Sequence, residues 1–116
     1  MAHLGLIIDD VVVNKFDLEG GVLTIGRSPD NDVQIEDHAV SSYHAQIIRE
    51  EDPYLEGQVQ YLLEDLKSTN ATKINGLKVD KQKLINGDLI EIGYSKFRFI
   101  DKHQVNLDRT AVILPE

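Results

Sequence analysis

Asp65–Gly76 reads D-L-K-S-T-N-A-T-K-I-N-G. It gathers Ser68, Thr69, Asn70, Thr72 and Asn75 into one polar segment beside Lys67 and Lys73. Alternating Val59, Tyr61 and Leu63 mark a half-buried strand before it, and Asn75-Gly76 is a tight-turn signal after it. Taken by itself the segment is a loop between two strands, held by Asx and Ser/Thr turns. Beside two cations the same residues also make an anion receptor. Short hydroxyl and amide side chains bend to their own backbone and leave N–H groups facing outward.

Working outward, the flanking sequence is a chain of short strands. Tyr43–Glu50 alternates, with Tyr43, Ala45 and Ile47 on one face and His44, Gln46 and Ile48 on the other. Before it come Leu4–Ile8, Val11–Leu18, Val22–Ile25 and a stub at Val33–Ile35. Gly20-Gly21 between two apolar runs predicts a hairpin, because primed turns need positive φ. Gly26-Arg27 ends a strand; Ser28–Asp32 and Glu36–Ser42 are loops of breakers and polar residues. Downstream, Leu77–Val79, Leu84-Ile85, Asp88–Ile92 and Lys96–Ile100 are separated by turn signals, with Phe97 and Phe99 on one face of the last. No segment sustains helical periodicity for about ten residues. The pattern predicts an all-β sandwich or barrel over residues 1–101. Lys102–Glu116 has no turn signals and is expected to be a tail, a linker or a docked edge segment.

The chain is 116 residues long, which predicts one domain with a real core. It has no cysteine, so disulfides, thiolate metal sites and a Cys nucleophile are excluded. No apolar run reaches membrane-span length and no signal-peptide pattern opens the chain, so a cytoplasmic protein without a membrane partner is expected. A net charge of −8 argues against nucleic acid. The charge is uneven. Asp9–Asp65 holds fourteen acids against Lys15, Arg27 and Arg49, a net of −11; Lys67–Lys83 holds five lysines against Asp80, a net of +4. Solvated lysines on a strand edge explain the basic stretch simply. A local positive field suited to one small anion is the functional alternative.

Catalytic patterns are missing. His3, His38, His44 and His103 form no metal-binding spacing, and no Walker loop, nucleophile elbow or dinucleotide fingerprint occurs. No enzyme activity, cofactor or metal is expected. What remains is a convergence. Gly26-Arg27 ends one strand, Ser41-Ser42-Tyr43-His44 opens another, and Thr69-Asn70 follows a third. In a sandwich such loops gather at one end. An arginine fork, serine hydroxyls and a Thr-Asn turn around one point match a phosphate monoester, a dianion with three acceptor oxygens.

This order of motifs resembles the forkhead-associated (FHA) domain, a phosphothreonine-peptide-binding module. The resemblance runs from about Leu4 to Asp101. It comprises G-R at Gly26-Arg27, S-x-x-H at Ser41–His44, D-x-x-S-T-N at Asp65–Asn70, N-G at Asn75-Gly76 and N-G-D-x-I-x-I-G at Asn86–Gly93. It implies a SMAD/FHA-type sandwich of about eleven strands, with the peptide across loops at one end. By the family pattern Arg27 and Ser41 bind the phosphate, with Ser42 next to them. Thr69 helps hold the phosphate, and Asn70 hydrogen-bonds the peptide main chain. Gly26, His44, Asn75 and Gly76 support the site. The family selects phosphothreonine through a small pocket for its methyl group and reads the third residue after it. Lys67 and Lys73 are expected to be solvated, with a minor role toward acidic peptide residues.

Two positions depart from the pattern. Ser42 stands where the family often has Arg or Asn, and Ala71 where it usually has Gly. If position 71 needs φ > 0, alanine costs about 1 kcal/mol or more. These departures leave room for an FHA-like module that binds its partner without phosphate, or for the regulatory domain of a longer enzyme or secretion component. Thr110 lies in the tail, where an ordinary threonine is the simpler account. Phosphorylated Thr110, in its own molecule or a neighbour, is the alternative occupant of the pocket, with Ile113 at the selectivity position.

Overall fold

The computed structural model describes residues 2–18 and 20–101. Eleven strands follow in chain order: β1 (Ala2–Ile8), β2 (Val11–Asp17), β3 (Val22–Gly26), β4 (Val33–Gln34), β5 (Ala45–Glu51), β6 (Val59–Asp65), β7 (Thr72–Ile74), β8 (Leu77–Val79), β9 (Lys81–Lys83), β10 (Leu89–Ile92) and β11 (Ser95–Asp101). They form two sheets, β2-β1-β11-β10-β7-β8 and β4-β3-β5-β6-β9. No helix occurs among the described residues. The expected tail, and Thr110 with it, lies outside the described residues.

The sheets bury one face each, because their strands alternate. Ile47 and Leu63, paired across β5 and β6, are almost wholly buried. Ile90, Ile92, Phe97 and Phe99 are fully buried on the opposing sheet. Phe99 meets Tyr61 across the core at 5.5 Å between ring centroids, a tilted contact that favours ordered packing.

One turn expectation and one strand expectation need correction. Gly20-Gly21 does not make a hairpin: β2 pairs with β1, β3 pairs with β4 and β5, and the glycines carry the chain from one sheet to the other. Gly21 does not take positive φ. The hairpin before it turns on Asp9-Asp10, at φ of 53° and 66°. Aspartate tolerates this region through local hydrogen bonding, so the turn forms without glycine. Tyr43 and His44 also stand outside β5, and His44 is buried beside Ala45 rather than alternating with it.

Candidate functional site

Three loops meet beyond the ends of β3, β5 and β6, and hydrogen bonds tie each to the next. Arg27 N–H donates to the Ser41 carbonyl at 3.0 Å and Ser28 N–H to the Ser42 carbonyl at 3.1 Å. Asn31 is buried between these loops; its Nδ2 donates to the Ser28 and Ser42 carbonyls, both at 2.8 Å. This crossing leaves no space above Gly26. A Cβ there would lie 2.3 Å from the Ser42 carbonyl oxygen and 2.8 Å from Asn31 Nδ2.

The second and third loops are joined through Ser41, Asn70 and His44. Thr69 N–H donates to Ser41 Oγ at 3.0 Å, and Asn70 Nδ2 donates to the Ala39 carbonyl at 2.9 Å. His44 is fully buried beneath them. Its Nδ1 accepts the Ser41 N–H at 3.0 Å, so that nitrogen carries a lone pair. The other nitrogen, Nε2, then donates to the Ala71 carbonyl at 2.8 Å. One imidazole thus holds both loops from inside.

The loop after β6 winds around the Asp65 carboxylate. Asp65 accepts from Ser68 N–H at 3.1 Å and from the Ser68 and Thr72 hydroxyls at 2.5 and 2.7 Å. Burial pushes this carboxyl up. The Ser68 and Thr72 hydroxyls and the Ser68 N–H outweigh that and hold it below the ordinary range. Lys67 and Ala71 take φ of 57° and 68° to make the winding. The loop before β5 is anchored from its other side. Asp37 accepts from Ala39 N–H at 2.8 Å and from Tyr94 N–H, in the β10–β11 turn, at 3.0 Å. These two amides hold the Asp37 carboxyl below its usual value.

Arg27 is exposed, and its guanidinium makes no ion pair or hydrogen bond with a described residue. The nearby acids are engaged elsewhere. Asp30 accepts the Tyr43 hydroxyl at 3.0 Å, and Asp32 accepts Thr24 N–H at 2.9 Å. Ser42 and Thr69 are exposed and Ser41 is half-buried. Asn75 and Gly76 lie apart, in the β7–β8 turn at φ of 51° and 86°. Asn75 Nδ2 donates to Asp88 at 3.0 Å, and Asn75 Oδ1 accepts Leu89 N–H at 2.9 Å. A groove of about 290 Å³ opens beside Asn70, lined by Ala39, Ala71, Lys73, Glu91, Gly93 and Tyr94. Lys67 is exposed and Lys73 half-buried.

Asn31 and Asp37 were not legible as site residues. Asp37 carries a local signal, an Asx turn to Ala39, but its bond to Tyr94 spans 57 residues. Asn31 reads only as one more turn residue.

The resulting object is an all-β sandwich that presents an arginine with no side-chain partner among the described residues, and hydroxyls, on loops braced from within. The FHA domain model matches residues 23–93, and the chain belongs to that family. The FHA domain-containing protein FhaA of Mycobacterium tuberculosis is 36% identical over 89 residues, 77% of this chain and 16% of FhaA. The glycogen accumulation regulator GarA of the same species is 33% identical over 87 residues, 75% of this chain and 48% of GarA. The chain thus spans half or less of these relatives' length. A solved FhaA FHA domain, complexed with the intracellular domain of Rv3910, is 33% identical with a TM-score of 0.70, covering 85% of this chain and 99% of that one. A structure from a study of phosphothreonine-dependent FHA domain interactions is 33% identical with a TM-score of 0.71, covering 86% and 95%.

Proposed function

We propose that this domain is a non-enzymatic reader of phosphothreonine peptides. The observation that carries it is Arg27, a cation whose guanidinium has no partner among the described residues, beside the loops that the Ser41–Thr69 bond draws together. In this reading the guanidinium and the Ser41 and Ser42 hydroxyls take the phosphate oxygens, and the Thr69 hydroxyl adds a further donor. Asn70 keeps one amide N–H on Ala39 and offers its Oδ1 and remaining N–H to the peptide backbone. The peptide continues past Asn70 into the adjoining groove, with Lys73 at its wall. Three or four charge-assisted bonds of about 1.5–3 kcal/mol each, less the cost of ordering an extended peptide, give roughly micromolar affinity. The domain acts in the cytoplasm as a signalling adaptor, as one part of a longer protein or alone. Phosphorylated Thr110 is a candidate ligand supplied by the chain itself.

Calorimetric titration with phosphothreonine, phosphoserine and unmodified versions of one peptide set tests this. Binding confined to the phosphothreonine peptides supports the proposal. Equal binding of unmodified peptides favours the second reading, a phosphate-independent assembly module. Ser42 and Ala71 favour that reading, because the first supplies no charge and the second holds a strained backbone at φ of 68°.

A further inference from the structure

Among the described residues the two sheets end in four edge strands, β2, β8, β4 and β9. Three are blunted. β4 has two residues; β8 and β9 have three each, with Lys78 on the one and Lys81 and Lys83 on the other. Short length and lysine are the common defences against edge-to-edge pairing. β2 is built differently. It is seven residues long, and Val11, Val12 and Val13 are 59%, 46% and 53% exposed. Ile8, across the Asp9-Asp10 turn, adds a fourth exposed aliphatic side chain. Within the strand, Phe16 alone is part-buried, edge-on to Phe97. Its one irregularity is the register shift opposite Leu6 and Ile7, which makes Val13 the extra residue.

We propose that β2 is an interface between two copies of this chain. The sequence D-D-V-V-V-N-K is complementary to itself when two strands run antiparallel about an axis between Val12 and Val13. Val12 of each copy then faces Val13 of the other, and Asp10 of each faces Lys15 of the other. Two charge pairs thus flank an apolar centre, the form an isologous contact requires. The bulge at the axis shortens any continuous ladder, and the patch is small, so the contact belongs at the weak end of specific interfaces, below roughly 1,200 Å².

Sedimentation equilibrium of the full chain, from about 10 μM to 1 mM, tests the proposal. The apparent mass is expected to rise from 13.1 kDa toward twice that value with concentration. Val13→Lys and Lys15→Glu, the second setting like charges against Asp10, are each expected to weaken association at least tenfold. Both variants should keep the wild-type melting temperature within a few degrees and the wild-type phosphopeptide affinity, since neither residue belongs to the loops around Arg27. A wild-type mass that stays at one chain throughout overturns the proposal, and is the result if residues 102–116 or a different partner cover β2. Undiminished association of both variants overturns it too.

Discussion

Replacing Ala71 by glycine is predicted to stabilise the protein. Ala71 holds φ at 68°, where the clash of Cβ with the backbone costs a non-glycine residue about 1–2 kcal/mol. Glycine removes that cost but loses about 0.4–1 kcal/mol through a freer unfolded chain. The net gain is about 0.5–1 kcal/mol. The loop does not escape the strain by relaxing, because both sides of position 71 are pinned. Its carbonyl accepts His44 Nε2 at 2.8 Å, and the next residue, Thr72, gives its hydroxyl to Asp65 at 2.7 Å. For a domain of this length the gain corresponds to a melting temperature raised by roughly 2–6 °C. Calorimetry and urea titration of Ala71→Gly against wild type measure it, with phosphopeptide affinity expected within about twofold. A variant that melts below wild type would refute the reasoning, since the alanine methyl would then contribute more by packing than its backbone costs.

Other consequences follow from the braces of the site. Gly26→Ala should destabilise by about 3 kcal/mol or more, because the new methyl meets Ser42 backbone rather than a movable side chain; a midpoint in urea close to wild type would contradict this. His44→Leu leaves the Ser41 N–H and Ala71 carbonyl without partners and should cost about 2–5 kcal/mol in the same titration, with peptide affinity falling alongside. Asp65 supplies an acid-dependent term. Its folded carboxyl lies below the ordinary 3.8, so its stabilisation is complete above that pH and fades as pH falls through the lower folded value. Asp65→Asn should therefore show a smaller loss of stability than wild type between about pH 5 and pH 2, and an equally steep loss would count against the assignment.

The fold was legible where side-chain alternation and short polar loops agree. The run from Lys96 to Ile100 declares its buried face through Phe97 and Phe99, and both rings are fully buried. Turns were less legible, because turn residues report local backbone need and not which strands pair. Gly20-Gly21 carries a hairpin signature yet links two sheets, whereas Asp9-Asp10 makes the hairpin without glycine. At the candidate site the motif residues around Ser41, His44, Asp65 and Asn70 stand out in the sequence because each polar side chain sits at a strand end. The partners of those side chains do not. Asn70 reaches the Ala39 carbonyl, His44 the Ala71 carbonyl and Asp37 the Tyr94 amide, all main-chain groups that every residue possesses. A pattern of side chains carries no mark of such pairings, so the scaffold under the motif had to be seen in three dimensions.

The central claim concerns one guanidinium, and titration of Arg27→Ala with a phosphothreonine peptide addresses it most directly. Arg27 contributes its backbone N–H to the Ser41 carbonyl, and its backbone carbonyl accepts from Gln34 at 3.2 Å; alanine retains both. The variant is therefore expected to melt like wild type while losing at least a hundredfold in affinity, about 3 kcal/mol, the value of a lost charge-assisted contact with phosphate. A folded Arg27→Ala protein that binds the peptide as tightly as wild type would show that the phosphate is recognised elsewhere.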